Sequence, residues 1–221
     1  MSKPREIELK FEVDPSSMDA LRRHLQLSDR SEPAQRTHSI YFDTPSGKLR
    51  KHNITLRVRC VGEKSVQTVK QDLLGGAGLF DRAEWEVEVH ELVPDFAKLK
   101  GTPAEAFLRN RQDQAALAPI FETIVDRQRW EVVKGTAEIE IVLDEGKVVV
   151  AGNDVALAEV ELELKRGPQA ALFDMARSLG QSAPLRIGVL SKSEQGFRLL
   201  AGPPAACRQG RACCGEPDND R

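Results

Sequence analysis

Several stretches of this chain alternate strictly between an apolar residue and a charged one, and within a stretch the charges are nearly all of one sign. In 5–13, Ile7, Leu9, Phe11 and Val13 oppose Glu6, Glu8, Lys10 and Glu12. In 83–90, Trp85, Val87 and Val89 oppose Glu84, Glu86, Glu88 and His90. Ile139, Ile141 and Leu143 oppose Glu138, Glu140 and Asp144 in 137–144, and Val160, Leu162 and Leu164 oppose Glu159, Glu161, Glu163 and Lys165 in 157–165. The stretch 53–60 carries the other sign, with Leu56, Val58 and Cys60 against Arg57 and Arg59. A period of two places successive side chains on opposite faces of a β-strand. For one strand, solvent is the simplest explanation of a charged face. For the set, like charges facing each other across strands repel, and a face that was only wet would mix in Ser, Thr and Gln. Acidic faces must therefore meet basic faces across a closed barrel, or bound cations must neutralise them.

Weaker alternation marks further strands at 36–43, 65–71 and 126–133, with 147–151 continuing the sheet after a turn at Glu145-Gly146. Helical spacing appears in 16–27 (Met18, Leu21, Leu25) and in 168–179, which opens on Pro168 and stops at Gly180. One or two short helices are expected in 94–118, interrupted at Gly101 and Pro103, and a last one in 191–200. Many strands and few helices indicate an α+β antiparallel barrel or strongly curved sheet with helices outside it. Residues 1–201 read as one domain. Residues 202–221 lose all periodicity and are expected to be a disordered tail.

Acids (34) and bases (32) nearly cancel, which argues against a nucleic-acid binder. No apolar run is long enough to span a bilayer and no signal segment opens the chain, so the expected location is cytoplasmic, with no membrane partner. Cys60, Cys207, Cys213 and Cys214 lack zinc-clip spacing and read as free thiols. Gly75-Gly76-Ala77-Gly78 lacks the P-loop pattern and reads as a hairpin loop. The four histidines form no ligand-spaced cluster, which speaks against a phosphohistidine intermediate.

Carboxylates are hard ligands suited to Mg²⁺ or Mn²⁺, whereas Arg and Lys suit phosphate oxygens. An anion held with metal would satisfy both signs at once. Glu6-Ile7-Glu8-Leu9-Lys10 fits the E-x-E-x-K signature that opens CYTH domains, the triphosphate tunnel metalloenzymes. Tyr41-Phe42-Asp43-Thr44, Leu56-Arg57-Val58-Arg59, Thr68-Val69-Lys70, Arg82-x-Glu84-x-Glu86, Arg127, Glu138-x-Glu140 with Asp144, Glu159-x-Glu161-x-Glu163 and Ser191-Lys192 follow in the family's order. The chain resembles this family over 5–200, and most resembles its bacterial inorganic triphosphatases, with an insert near 91–113. The resemblance implies an eight-stranded antiparallel tunnel that hydrolyses a triphosphate with Mg²⁺ or Mn²⁺. It implies metal ligands at Glu6, Glu8, Asp144, Glu159 and Glu161, with Glu163 on the same face and Glu138 and Glu140 less firmly included. It implies phosphate contacts from Lys10, Arg57, Arg59, Lys70, Arg127 and Lys192. Arg82 either joins them or pairs with Glu84 or Glu86. Tyr41 either orients water near Lys70 or simply packs. Three functions fit: an inorganic triphosphatase, a cyclase or thiamine or nucleoside triphosphatase on the same tunnel, or a non-catalytic polyphosphate binder.

Overall fold

In a computed structural model, which describes residues 5–25, 33–76 and 78–202, the strands close on themselves. They are β1 (Arg5–Glu12), β2 (Gln35–Asp43), β3 (Ile54–Val61), β4 (Lys64–Gly76), β5 (Leu79–Val89), β6 (Ala118–Lys134), β7 (Ala137–Val150), β8 (Asn153–Arg166) and the two-residue β9 (Arg186–Ile187). The helices are α1 (Met18–Leu25), α2 (Arg111–Ala116), α3 (Ala170–Gly180) and α4 (Lys192–Ala201). The order β5-β4-β3-β2-β6-β7-β8-β1 is antiparallel throughout and is closed by β1 against β5, Glu6 facing Arg82 and Glu8 facing Phe80. Beyond that contact β1 continues along the same edge onto β9, where Phe11 faces Ile187. The result is the expected eight-stranded α+β barrel. No described helix is long and apolar enough to cross a membrane.

The barrel is inverted. Apolar members of the alternating pairs point outward, where separate clusters cover them. Leu9, Phe11, Trp130, Ile139, Ile141, Val160 and Leu162 pack beneath Met18, Leu21 and Leu25 of α1 and Leu172, Met175 and Leu179 of α3. Phe42, Leu56, Val58, Val69 and Val89 pack beneath Leu99, Ala104 and Leu108 of the 90–117 connection. Each such side chain stabilises the barrel by roughly 1.5–3 kcal/mol, which offsets the cost of a polar lumen. One end of the lumen is apolar: Tyr41, Phe121, Val125, Val148 and Leu157 meet Phe197 of α4. Phe121 stacks on Tyr41 with centroids 4.4 Å apart and meets Phe197 edge-on at 5.3 Å. Gly196 permits this seat, because a Cβ there would lie 2.3 Å from the Phe121 ring.

Several sequence expectations change. No turn interrupts Glu145-Gly146; β7 is one strand, and Gly146 is needed because a Cβ would lie 2.1 Å from the Ile124 carbonyl oxygen on β6. The reversal comes later, at Ala151 and Gly152, both with positive φ. β6 starts at Ala118 rather than 126, since its first half lies over the apolar end, where alternation with charge is lost. The 94–118 helices reduce to 3₁₀ turns at Phe96–Leu99 and Pro103–Ala106 and the six-residue α2, each a single turn or little more. A 3₁₀ turn at Pro15–Ser17 precedes α1, which is described only to Leu25. The expected tail, with Cys207, Cys213 and Cys214, lies outside the described residues beyond Gly202. Cys60 is a free thiol.

Candidate active site

The charged members of the alternating pairs converge on a lumenal cavity of about 320 Å³. Register explains the convergence. Asp144 faces Glu159 across β7 and β8, Lys10 faces Glu161 across β1 and β8, Arg127 faces Asp144 across β6 and β7, and Tyr41 faces Arg57 across β2 and β3. These inward positions are two residues apart on each strand, so a single parity fills the lumen.

On the β7–β8 side the carboxylates are tightly compensated. Asp144, Glu159 and Glu161 each offer an oxygen within 4.8 Å of the others. Lys192 Nζ stands 2.8 Å from Asp144, 2.7 Å from Glu159 and 2.5 Å from Glu161. Arg127 donates to both oxygens of Asp144, at 2.7 and 2.5 Å, and to Glu161 at 3.3 Å. Lys10 Nζ lies 2.6 Å from Glu159, and both of those side chains are 1 % exposed. Burial pushes the Asp144 carboxyl up, but Arg127 and Lys192 outweigh it and hold it down at about 2. Glu161 lies well below its ordinary value for the same reasons, with Lys192 and Arg127 overcoming burial. Lys192 is lowered by burial and raised more strongly by Asp144, Glu159 and Glu161, ending well above the usual amine.

β1 supplies a second acidic pair. Lys70 Nζ lies 2.8 Å from Glu6 and 3.1 Å from Glu84. Arg82 donates to Glu6 at 3.2 Å and to Glu8 at 3.0 Å. The expected alternative for Arg82, pairing with Glu84 or Glu86, is corrected: barrel closure puts it opposite Glu6 instead. Glu6 falls to about 2, since Lys70 and Arg82 overcome its burial. Glu8 rises to about 7, driven by burial and then by Glu161, with Arg82 only partly offsetting them.

The β3 side differs. Arg57 reaches Glu84 and Glu86 only at 3.9 Å, and its buried Nε has no hydrogen-bond partner. Arg59 and Arg129 have no ion pair among the described residues. Burial pulls Arg59 down to about 9, and Arg57 and Arg127 add to the shift. Tyr41 is raised by burial and lowered more by Arg57, Lys192 and Arg59, for a net decrease. Its ring packs on Phe121, while Lys70 is engaged by Glu6 and Glu84.

Glu6, Glu8, Lys10, Tyr41, Arg57, Arg59, Lys70, Arg82, Arg127, Glu161, Glu163 and Lys192 line the cavity, while Asp144 and Glu159 are fully buried and reach it only through their cationic partners. Glu159 is sealed beneath Lys10 and Lys192. Glu163 lies apart from the metal-like triad and pairs with Lys165 at 2.7 Å. Glu140 lines the cavity beside Lys165, while Glu138 faces outward toward Arg166. Asp43 does not reach the lumen. Its buried carboxylate accepts from the backbone N–H groups of Thr44, Leu49 and Arg50 and so fixes the following turn. Arg129, Glu84, Glu86, Lys165, Ser191 and Ser193 also line the cavity. Arg129 and Lys165 were detectable by parity, each two positions from a chosen residue.

The triad fits a divalent cation. Three hard oxygens converge, and buried Glu159 Oε2 lies near Lys192 Nζ without completing a directed hydrogen bond.

The structure is thus a closed antiparallel barrel whose lumen sets a cationic wall against an anionic one. Residues 4–197 match the CYTH domain, and the chain belongs to that family. It is similar to an inorganic triphosphatase of Haemophilus influenzae, with 28% identity over 201 residues, 88% of this chain and 55% of that protein. The chain therefore spans about half the length of that curated relative. Among solved structures it is similar to a proposed adenylyl cyclase from Hippeastrum described as having a dominant triphosphatase activity (TM-score 0.67, 21% identity, 85% of this chain and 93% of that one). It is also similar to a proposed adenylate cyclase from Bacillus halodurans (TM-score 0.57, 20% identity, 90% and 100%). At such identity the two structures speak to the fold alone.

Proposed function

We propose that this chain is a metal-dependent triphosphatase that cuts inorganic triphosphate to pyrophosphate and phosphate. The observation that carries the reading is the incomplete compensation of Arg57, Arg59 and Arg129 inside a closed barrel. Arginines enclosed in a barrel without close carboxylate partners favour an anion that completes them. The printed activity of the Haemophilus influenzae relative supports the choice of a triphosphate. An inorganic chain is favoured over a nucleotide because, among the described residues, Tyr41 is the only aromatic one on the cavity wall and its ring is already stacked on Phe121. A base would find no free stacking surface.

Asp144, Glu159 and Glu161, with Glu6 and Glu8 completing the acidic wall, would hold Mg²⁺ or Mn²⁺. Bound there, the metal supplies positive charge at the phosphoryl oxygens and makes an associated water more acidic. Arg57 and Arg59 bind and orient the phosphate chain in forked hydrogen bonds. Arg127 favours the ionised form of Asp144, and Arg127 and Lys10 favour that of Glu161. Lys70 would neutralise a leaving oxygen, and Tyr41 would orient a water. Catalysis of this type rests on positioning and charge stabilisation more than on covalent chemistry.

Incubation with Mg²⁺ or Mn²⁺ and tripolyphosphate, ATP or thiamine triphosphate, with products identified by phosphorus NMR, tests the reading. Pyrophosphate and phosphate in equal amounts from tripolyphosphate, at a rate well above the organic substrates, is expected. Cyclic AMP from ATP, or no turnover of any of the three, overturns it.

A further inference from the structure

Lys192 stands in the middle of the triad that would hold the metal. Its ammonium lies 2.5–2.8 Å from all three carboxylates. A divalent cation of the Mg²⁺ class takes such oxygens at about 2.0–2.1 Å, so the two cations compete for one position. The charge count points the same way. Asp144, Glu159 and Glu161 face Lys10, Arg127 and Lys192, three charges of each sign, so the cluster is already neutral. A divalent ion added to it leaves two positive charges in excess within that cluster, which favours the departure of one internal cation. Arg127 is held in a fork by Asp144, and Lys10 is sealed on a strand, 1 % exposed. Lys192 is the movable one. It sits in the first turn of α4, on a four-carbon stem, and it borders the cavity with Ser191 and Ser193.

We propose that Lys192 is a tethered cation that occupies the Asp144–Glu159–Glu161 site until divalent metal displaces it onto the phosphate oxygens of the substrate, so that metal and triphosphate bind cooperatively through this side chain. The inference rests on the metal-dependent reading above. Lys192 gives two benefits at once: it keeps three clustered carboxylates from repelling one another in the metal-free barrel, and it joins the anion site only when the metal is in place. By linkage, a triphosphate that attracts Lys192 away from the triad strengthens metal binding by the same factor. The capping box at Ser191 and Glu194 anchors the helix start, so the exchange needs side-chain rotation and leaves α4 in place.

The test measures Mn²⁺ affinity by electron paramagnetic resonance for the wild type and Lys192→Met, without and with a tripolyphosphate analogue whose bridging oxygens are replaced by NH groups. Lys192→Met should bind Mn²⁺ alone more tightly than wild type, on the order of tenfold. The analogue should strengthen Mn²⁺ binding less in the variant than in wild type; direct chelation by the analogue is common to both. Equal or weaker Mn²⁺ binding by a folded Lys192→Met overturns the proposal and leaves the metal site standing. Should the variant not fold, the wild type alone decides: Mn²⁺ should make Lys192 more reactive toward an amine-acylating reagent, read by mass spectrometry, and the analogue should protect it again. Unchanged reactivity with Mn²⁺ bound overturns the proposal. A wild type that binds no Mn²⁺ overturns the metal reading and this inference together.

Discussion

The arginine wall of β3 and β6 and the carboxylate wall of β1, β7 and β8 line the same lumen, yet they are compensated very differently. Asp144, Glu159 and Glu161 have Lys10, Arg127 and Lys192 within hydrogen-bonding distance, and Asp144 is held at about 2. Arg57 has an unbonded Nε, and Arg59 is driven down to about 9 by burial and neighbouring cations. Each carboxylate of the β7–β8 triad has a cation within 2.8 Å, although Lys10 Nζ and Glu159 Oε2 complete no directed hydrogen bond. Among the described residues Arg57 and Arg59 have no carboxylate that close, and that deficit marks where an anion belongs. Strain of this kind lowers stability and raises affinity from the same residues.

Substitutions on the two walls should therefore separate stability from activity. The largest effect is expected at Glu8→Gln, which keeps shape but removes charge: metal-dependent phosphate release should fall to background while circular dichroism stays native. Near-normal turnover would remove Glu8 from the metal site. The same side chain gives a pH dependence. Its carboxyl is raised from 4.5 to about 7, so the folded state binds more protons than the unfolded state in that interval and stability falls as pH rises through it. The metal-free wild type should lose stability from about pH 4.5 to 7, by urea titration, more than Glu8→Gln does. A difference between the two proteins that does not vary with pH would contradict the assignment.

Next comes Asp144→Asn, which leaves Arg127 and Lys192 short of a buried partner and should cost about 3–5 kcal/mol of folding free energy. A loss under 1 kcal/mol would mean that the acidic wall is less tightly compensated than its distances imply. Arg59→Ala is the converse. It should lower kcat/KM on the order of 10²-fold without lowering the melting temperature, because the charge removed is uncompensated. A matched fall in stability would erase the contrast between the walls. The smallest effect is expected at Gly196→Ala, where a methyl group driven into the Phe121 ring should cost about 1–3 kcal/mol by overpacking, read as a shift in the urea midpoint.

Much of this was legible in the sequence because charge and apolar residues share a strict parity. Leu56-Arg57-Val58-Arg59 states by itself which side chains face the lumen, and Ile139, Ile141 and Leu143 state which face the helices. Parity fails where both faces are apolar. Phe121, Val125, Val148 and Leu157 line the plugged end, so β6 looked shorter than it is and β7 looked broken at Gly146. The glycine serves a close approach between strands rather than a turn, and only the neighbouring backbone of Ile124 reveals that. Parity also says that charges share a lumen without saying which ones touch. The pairing of Arg82 with Glu6 and Glu8 follows from the β1–β5 closure, and the seat of Lys192 follows from α4 crossing the barrel end. Both join segments far apart in the chain, beyond the reach of any local pattern.

The division of the lumen into a metal wall and a phosphate wall is tested most directly by a crystal structure with Mn²⁺ and the NH-bridged tripolyphosphate analogue, using anomalous scattering at the manganese edge. An anomalous peak among Asp144, Glu159 and Glu161, with analogue oxygens on Arg57 and Arg59, is expected. A manganese peak away from those carboxylates, or an analogue bound outside the barrel, would contradict it.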